Sequence, residues 1–278
     1  MAVPVPAVSI IIAALEAEDT LGDALASVLA QDFGDFEILI APDEPRDYAA
    51  FAGLDSRIRI LPGVPVPTGP GPARNRALAA ARGDWVALLD ADDSWSPNYL
   101  GLLVPAARTC GAAFGRTSVL DETGAELRSI PPLDYRGPAT YAVLTRAFGS
   151  FHGLARRTPE RRWHHVFAED VLFDVETLAR QGGSAAYNPE AVYRLTARPY
   201  SATRRTEFID EIAAHYAAII AMIRDGHTGI PSAERIPAVA VFQSWAEMNR
   251  KYLAARSLDP GLAYQRFVAV SQRDTNLA

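Results

Sequence analysis

The residues best suited to chemistry form two acidic groups, residues 90–93 (DADD) and Glu169-Asp170. Residues i and i+2 of an extended chain point the same way, so the carboxylates of Asp90 and Asp92 can face one ligand. Two hard oxygen donors beside an anionic ligand suit Mg²⁺ or Mn²⁺, which one or two carboxylates often hold together with phosphate oxygens. An acidic turn that caps the helix after Pro97 explains the spacing equally well, so spacing alone leaves both interpretations open.

The elements that must position the first group alternate between short apolar runs and helical patterns, which is typical of βαβ units. We predict strands over residues 8–12, 36–40, 57–61 and 85–89. A helix begins after Asp19 or Thr20, a proline- and glycine-rich loop covers 62–72, and a helix over 73–82 is closed by Gly83. Because ligands of open α/β sheets bind beyond the carboxyl ends of strands, the acidic group after the 85–89 strand lies where chemistry is expected.

The rest of the chain is less regular and then becomes helical. We predict helices over 98–110 and 170–180, and strands over 112–120 and 185–195. Apolar residues then recur at helical spacing from residue 206 onward. We therefore expect one α/β domain over 1–204, with halves of about 1–120 and 121–204, and a helical extension over 205–278. These last helices are expected to cover the core, to dock on a membrane surface or to form a homodimer contact.

Composition excludes several classes of protein. Hydrophobic residues make up 49% of the 278 residues, which is enough for a packed core, and the net charge of −6 gives no basic field for nucleic acid. Cys110 is the single cysteine, so no intramolecular disulfide forms, and it is predicted to be a small buried hydrophobe. The apolar run over 8–15 is shorter than the roughly 20 residues of a membrane span. We expect a cytoplasmic protein, peripheral at most to the inner face of the membrane.

Four sequence motifs, in order, resemble those of the family-two, GT-A glycosyltransferases. They are VSIIIAALEAEDTL (8–21), SVLAQDFGDFEILI (27–40), GPARNRALAAARGDWVALLDADD (71–93) and AED (168–170). The resemblance is strong over residues 7–100 and extends to about 203. It implies an α/β class with a GT-A, Rossmann-like mixed and mostly parallel sheet flanked by helices, followed by the C-terminal helical extension.

The resemblance also implies a role for individual residues. Asp43 would contact the nucleobase or ribose, and Arg74 would lie near the phosphates, with a solvated helix charge as the alternative. Asp90 would face the ribose and diphosphate, Asp92 would bind Mn²⁺ or Mg²⁺, and Asp170 would be the catalytic base, with Glu169 beside it as the other candidate. Further nucleotide-side residues would be Ala13, Leu15, Glu16 and Ala91. Residues Arg194, Arg198, Tyr200 and Ser201 resemble a variable segment that closes over the diphosphate. Acceptor-side candidates are His152 and Trp163, for which a structural role is the alternative.

The implied activity is that of an inverting glycosyltransferase that moves a sugar from a nucleoside-diphosphate sugar, with a UDP-sugar favoured, to a carbohydrate or lipid-linked acceptor. Assembly of bacterial surface polysaccharide or glycolipid is the expected setting. Two departures affect the nucleotide pocket. The family usually has proline and asparagine at the positions of Ala13 and Glu16, and an Asp-x-Ser-x-Asp string at residues 43–47. The Gln-x-x-Arg-Trp motif of processive synthases is absent, which favours a single transfer per encounter.

Other functions fit the sequence less well. A sugar nucleotidyltransferase usually carries a glycine- and lysine-rich loop after the first strand, and residues 13–23 contain no lysine. A Rossmann dehydrogenase would need a G-x-G-x-x-G motif there. A catalytically silent homologue that serves as a binding subunit stays open, because Ala13 and Glu16 depart from the family pattern.

Overall fold

The computed structural model describes residues 5–198 and 206–275. Its first half is a parallel sheet with strands β1 (Val8–Ala14), β2 (Phe36–Pro42), β3 (Ile58–Ile60) and β4 (Trp85–Leu88) in the order β3-β2-β1-β4. Residues 10–12 of β1 are fully buried on both faces, as their continuous β-branched run predicts. All four predicted strands of this half are confirmed, each with bounds shifted by at most two residues.

Helices α1 (Leu21–Leu29), α2 (Ala49–Ala52), α3 (Pro70–Ala80) and α4 (Tyr99–Cys110) flank these strands. The predicted bounds of α3 were wrong at both ends. Pro70 occupies the first turn, where its missing N–H costs nothing, so the loop ends at Gly69. Gly83 does not cap α3 but packs against β1, where an added Cβ would lie 2.6 Å from the Ser9 nitrogen. Cys110 is exposed at the end of α4, which corrects its predicted burial.

The second half of the fold extends the same sheet. Its elements are β5 (Ser94–Trp95), β6 (Ala112–Leu120), β7 (Glu126–Ile130), β8 (Ala139–Thr140), α5 (Tyr141–Ala147), β9 (Leu154–Arg156), α6 (Glu169–Ala179) and β10 (Ser184–Thr196). The sheet continues as β4-β9-β6-β10-β5, with β7 beside β6 and β8 beside β10. The long β6–β10 ladder is parallel, whereas the short ladders around it are antiparallel. The predicted class, a mixed and mostly parallel sheet flanked by helices, is confirmed.

The C-terminal segment is helical, as predicted, with α7 (Thr206–Asp225), α8 (Arg235–Leu258) and α9 (Tyr264–Thr275). Its apolar faces share one core with α5, α6 and β6, to which Ile219, Phe242 and Trp245 contribute. Among the described helices, none is both long and apolar enough to cross a bilayer. The division of the chain at residues 204 and 205, and the homodimer contact, stay predictions.

The tail core makes a stability prediction. Trp245 is buried against Phe148 and Tyr216, and its indole N–H donates to the Leu144 carbonyl at 2.9 Å. We expect Trp245→Ala to lower the free energy of unfolding by about 3 kcal/mol or more, because a large cavity and an unpaired carbonyl remain. Urea unfolding followed by circular dichroism measures the loss. The matched control is the exposed Gln243→Ala on the same helix, which should change stability by no more than about 0.5 kcal/mol. Equal effects of the two substitutions would show that this core does not hold the tail.

Candidate active site

The predicted nucleotide-side residues meet at one edge of the sheet. Leu15 and Glu16 follow β1, Asp43 follows β2, and the acidic turn, residues 90–93, follows β4. Because β1, β2 and β4 are parallel neighbours, their carboxyl ends lie side by side. The sequence prediction of a ligand site at this edge therefore rests on an observed arrangement of strands.

Arg74 joins the two acidic groups. Its guanidinium is buried on α3, with one amino group donating to Asp90 Oδ1 at 2.6 Å and the other donating to Glu169 Oε1. Burial alone would lower the pKa of Arg74, but the facing carboxylates Asp90 and Glu169 outweigh it and raise the pKa, so the cation is permanent. The alternative of a solvated helix charge is wrong. One guanidinium holds two carboxylates that lie far apart in the sequence.

The face of α3 that carries Arg74 is built for close contact with the segment before α6. Gly71, Arg74 and Asn75 share this face, since residues three and four apart on a helix are neighbours. The Asn75 side chain exchanges two hydrogen bonds with the Trp163 backbone, at 2.7 and 2.8 Å. A Cβ on Gly71 would lie 2.9 Å from the His164 carbonyl oxygen, so only glycine permits the approach. The Gly-Pro-Ala-Arg-Asn motif therefore locks α3 to the chain that leads into Glu169.

Glu169 and Asp170 begin α6 but face different surroundings. The turn is made by Ala168, which takes a left-handed φ of 58°. The Glu169 side chain is 8% exposed and bound to Arg74, whereas that of Asp170 is 26% exposed. Burial raises the pKa of Glu169 to about 7, although Arg74 opposes the shift. Of the two candidate bases, Asp170 is therefore the one a ligand can reach, and Glu169 is part of the buried ion cluster.

The acidic turn also divides into exposed and buried carboxylates. The Asp92 side chain is 43% exposed and lies 3.6 Å from Arg198 Nε. Asp93 is buried, and it accepts hydrogen bonds from the Tyr193 hydroxyl at 2.8 Å and the Thr196 N–H at 2.9 Å. The same hydroxyl accepts from the Asp90 N–H at 3.0 Å. Tyr193 therefore fixes the turn, and Asp93 is structural.

The charges of this turn repel one another. Burial and then the neighbouring Asp90 carboxylate raise the pKa of Asp92, and Arg198 opposes the shift. Burial, with Asp92 and Asp90, raises the pKa of Asp93 well above its usual range. Burial would also raise the pKa of Asp90, but Arg74 outweighs it and the net shift is downward. A further cation at Asp92 would relieve this repulsion.

The donor set fits a divalent cation that shares its ligands with a phosphate. Within residues 5–198 and 206–275, no group of three or more His, Cys, Asp or Glu side chains is arranged to hold a metal alone. Asp92, with Asp90 beside it, supplies the one or two carboxylates that Mg²⁺ or Mn²⁺ uses when phosphate oxygens complete the shell. The residues present therefore fit such an ion only together with an anionic ligand.

Asp43 holds the loop before α3. Its side chain is 3% exposed. It accepts hydrogen bonds from the Thr68 N–H and hydroxyl and from the Gly69 N–H, at 2.6–2.8 Å. The contact of Asp43 with a nucleobase or ribose stays a prediction. Asp43 thus holds the entry to the helix that carries Arg74.

A polar cluster around Glu44 holds the chain that follows β1. Glu16 has a left-handed φ of 50°, and its N–H donates to the buried Glu44 carboxylate at 2.5 Å. Tyr48 donates to the same carboxylate at 2.7 Å, and Arg46 pairs with it at 2.8 Å. Leu15 and the Glu16 side chain are exposed, Ala13 is half-buried and Ala91 is buried. No local sequence pattern indicates that the Glu44 carboxylate binds the chain after β1.

The two acceptor-side candidates are both buried. Trp163 is 2% exposed and stacks on Phe173 with ring centroids 4.4 Å apart, so its ring is not available to an acceptor sugar and the structural alternative holds. His152 is also buried, but its Nε2 lies 3.9 Å from Asp170 Oδ2. Of the segment expected to close over the diphosphate, Arg198 reaches Asp92, Arg194 donates to the Trp95 carbonyl, and Tyr200 and Ser201 lie outside the described residues.

The Arg74 cluster makes a prediction that depends on pH. Arg74→Met should lower the free energy of unfolding by about 3 kcal/mol, because it leaves the buried Glu169 and the partly exposed Asp90 without their cation. Without Arg74 the pKa of Glu169 rises above about 7 in the folded state, far above its unfolded value, so the folded variant loses stability as pH rises through this range. The loss should therefore be larger at pH 8 than at pH 5.5 in urea unfolding. Exposed Arg162→Met is the control. A loss that is independent of pH would contradict the proposed role of Glu169 ionisation.

The sequence of this chain matches a known protein family. The family model described as "Glycosyl transferase family 2" matches residues 9–158. The succinoglycan biosynthesis protein ExoO of Rhizobium meliloti is 32% identical over 243 residues, which cover 79% of this chain and 69% of ExoO. An Escherichia coli protein named as a UDP-Glc:alpha-D-GlcNAc-diphosphoundecaprenol beta-1,3-glucosyltransferase, WfgD, is 38% identical over 100 residues, which cover 35% of this chain and 39% of WfgD. The match to WfgD thus spans well under half of that protein.

Two solved structures share the fold. The crystal structure of S. aureus TarS 1–349 in complex with UDP-GlcNAc has a TM-score of 0.64 at 18% identity and covers 92% of this chain and 76% of that one. A mannosyltransferase from Pyrobaculum calidifontis, in complex with GDP-Man and Mn²⁺, has a TM-score of 0.57 at 15% identity and covers 98% of this chain and 81% of that one. The predicted GT-A fold is confirmed. The chain belongs to glycosyl transferase family 2 and is a glycosyltransferase.

Proposed function

We propose that this glycosyltransferase moves a sugar from a nucleoside-diphosphate sugar, with UDP as the favoured nucleotide, to an acceptor hydroxyl with inversion at the anomeric carbon. The observation that carries the proposal is the Arg74 bridge, because it brings the carboxylates of both acidic motifs within reach of one ligand. The donor class is supported by TarS, whose structure is titled as a UDP-GlcNAc complex, and by WfgD, whose name specifies UDP-Glc. Bacterial surface polysaccharide or glycolipid assembly is the setting that ExoO and WfgD support.

In this proposal Asp92, with Asp90 beside it, would hold Mn²⁺ or Mg²⁺ together with the diphosphate oxygens. When bound, such an ion supplies positive charge that stabilises the leaving nucleoside diphosphate. Arg198, which lies 3.6 Å from Asp92, would add a second positive charge on the same side. The Arg74 guanidinium keeps Asp90 ionised and holds it against α3, so that one of its oxygens is committed to the protein.

Asp170 would accept the proton of the acceptor hydroxyl as that oxygen attacks the anomeric carbon. Attack on the face opposite the leaving diphosphate inverts the configuration of the sugar. A carboxylate that binds the metal cannot also serve as base, so the reaction needs a second acidic site. Asp170 suits this role because its side chain is 26% exposed, whereas neighbouring Glu169 is buried and bound to Arg74.

The proposal predicts metal-dependent nucleotide binding. Titration calorimetry should detect UDP binding in Mn²⁺ and at least tenfold weaker binding in excess EDTA. Asp92→Asn should weaken binding in Mn²⁺ by at least tenfold, about 1.4 kcal/mol, because the exposed carboxylate is lost. Asp35→Asn, exposed at the opposite end of β2, is the matched control and should bind as wild type does. Asp93→Asn should lower stability more than affinity. Equal UDP affinity with and without EDTA would remove the metal from the mechanism.

A second prediction separates catalysis from binding. Asp170→Asn keeps the shape of the side chain, but it cannot accept the acceptor's proton. Turnover should fall by roughly 10² to 10⁴, while UDP and Mn²⁺ affinity stay within about twofold of wild type. UDP release from UDP-glucose or UDP-N-acetylglucosamine, whichever the wild type turns over, is the assay. Retention of more than about a tenth of wild-type turnover at saturating substrate would rule out Asp170 as the base.

A further inference from the structure

His152 occupies a strained and heavily supported turn that the reaction described above does not use. Its backbone has a left-handed φ of 50°, which is unusual for a residue with a side chain. The buried Asp174 carboxylate accepts hydrogen bonds from the Ser150 hydroxyl and the Phe151 N–H, both at 2.8 Å. The Tyr99 hydroxyl donates to the His152 carbonyl at 2.7 Å. Three side-chain contacts from α4 and α6 thus hold this backbone in a conformation it would otherwise avoid.

The imidazole lies between the base and the acidic turn. One face stacks on Tyr193, with ring centroids 3.8 Å apart and planes 9° from parallel. The hydroxyl of the same Tyr193 bonds both Asp90 and Asp93. At the ring edge, His152 Nε2 lies 3.9 Å from Asp170 Oδ2. The imidazole is therefore the side chain that joins Asp170 to the turn on which Asp92 is carried.

One ring nitrogen of His152 is buried and unpaired. His152 is 3% exposed, and its Nδ1 has no hydrogen-bond partner among residues 5–198 and 206–275. Burial lowers the pKa of His152, although Asp90 and Asp170 oppose the shift, so the ring is neutral at neutral pH. A neutral imidazole has one N–H. We assign it to Nε2, because a carboxylate faces that nitrogen.

We infer that His152 is a positioning residue for Asp170, whose Nε2–H binds and orients the Asp170 carboxylate when the acceptor hydroxyl docks against its other oxygen. The present separation of 3.9 Å is longer than a hydrogen bond, as is common for catalytic contacts before substrate binds. Stacking on Tyr193 sets the distance between this N–H and the acidic turn. The inference rests on the proposed role of Asp170 as base.

Two substitutions separate an N–H donor from a ring that only fills space. His152→Phe keeps an aromatic ring to stack on Tyr193 but removes the N–H, whereas His152→Gln keeps an N–H at similar reach but removes the ring. In both variants the new residue must adopt the left-handed φ of position 152. We expect His152→Phe to lower kcat at least tenfold with the donor KM within twofold, and His152→Gln to retain at least a third of wild-type kcat. A space-filling role predicts the opposite order and would overturn the inference.

Binding and coupling measurements complete the test. Calorimetry with UDP and Mn²⁺ should give wild-type affinity for both variants, and thermal unfolding should show both folded at the assay temperature. If His152→Phe fails to fold, His152→Asn replaces it, because asparagine tolerates a positive φ and its shorter side chain does not reach Asp170. In an Asp170→Asn background, removal of His152 Nε2–H should cause no further loss of turnover, since the two residues act as one unit. A further loss of tenfold or more would overturn the inference.

The same assays distinguish the inference from the proposed function. If Asp170→Asn keeps wild-type turnover, the proposed base is wrong whatever His152 does. If Asp170→Asn abolishes turnover while His152→Phe is as active as wild type, the base stands and the positioning role fails.

Discussion

A buried guanidinium between two carboxylates is the interaction on which the rest of the site depends. Arg74 binds Asp90, at the end of a central strand, and Glu169, at the start of a helix. Glu169 lies 95 positions after Arg74 in the chain. Arg74 lowers the pKa of Asp90 and opposes the rise that burial causes in the pKa of Glu169, and the buried cation in turn needs these partners. The cluster of Arg74, Asp90 and Glu169 therefore forms only when β4, α3 and α6 are all in place. This makes the geometry of the site a consequence of complete folding.

A second set of contacts supports the site beside the Arg74 cluster. These contacts are neutral hydrogen bonds and ring packing. Tyr193 fixes the acidic turn by bonding Asp90 and Asp93, and it stacks on His152, whose edge faces Asp170. Here neutral hydrogen bonds and ring packing hold like-charged side chains near one another, which ion pairing alone could not do. Arg74 therefore sets the distance between the two acidic groups, while Tyr193 and His152 set the orientation of the more accessible carboxylates, those of Asp92 and Asp170.

Much of this arrangement can be predicted from local sequence. The contacts that cannot be predicted in this way join segments that lie far apart in the chain. The strand before Asp90 is a continuous apolar run, so local sequence predicts that the acidic residues follow a buried strand. Their spacing alone fits a metal site and a helix-capping turn equally well, and the motifs in other segments favour the metal site. By contrast, no local pattern indicates that Arg74 binds Glu169, or that Asp43 holds the loop at Thr68. The predicted end of α3 is wrong because Gly83 suits a helix cap by residue type, whereas in the structure it packs against β1. Contacts between distant segments decide these cases, and the spacing of residues within a segment does not record them.

The electrostatics also bear on whether the site is catalytic or only a binding surface. Burial, and then the neighbouring carboxylates, raise the pKa values of Asp92 and Asp93, so the fold carries unrelieved repulsion at this turn. Two of the non-glycine residues with left-handed backbone in the described part of the chain, His152 and Ala168, lie close to the proposed base Asp170. Strain and like-charge repulsion cost stability and persist where a function requires them. A silent homologue would be free to replace Asp92 by a neutral side chain and gain stability. The departures from the family pattern at Ala13 and Glu16, in contrast, fall at positions outside both acidic groups. The Glu16 N–H donates to the Glu44 carboxylate, which also accepts from Tyr48, so local contacts after β1 accommodate this residue. The residues proposed for transfer are therefore present whatever these departures do to the choice of the donor's base.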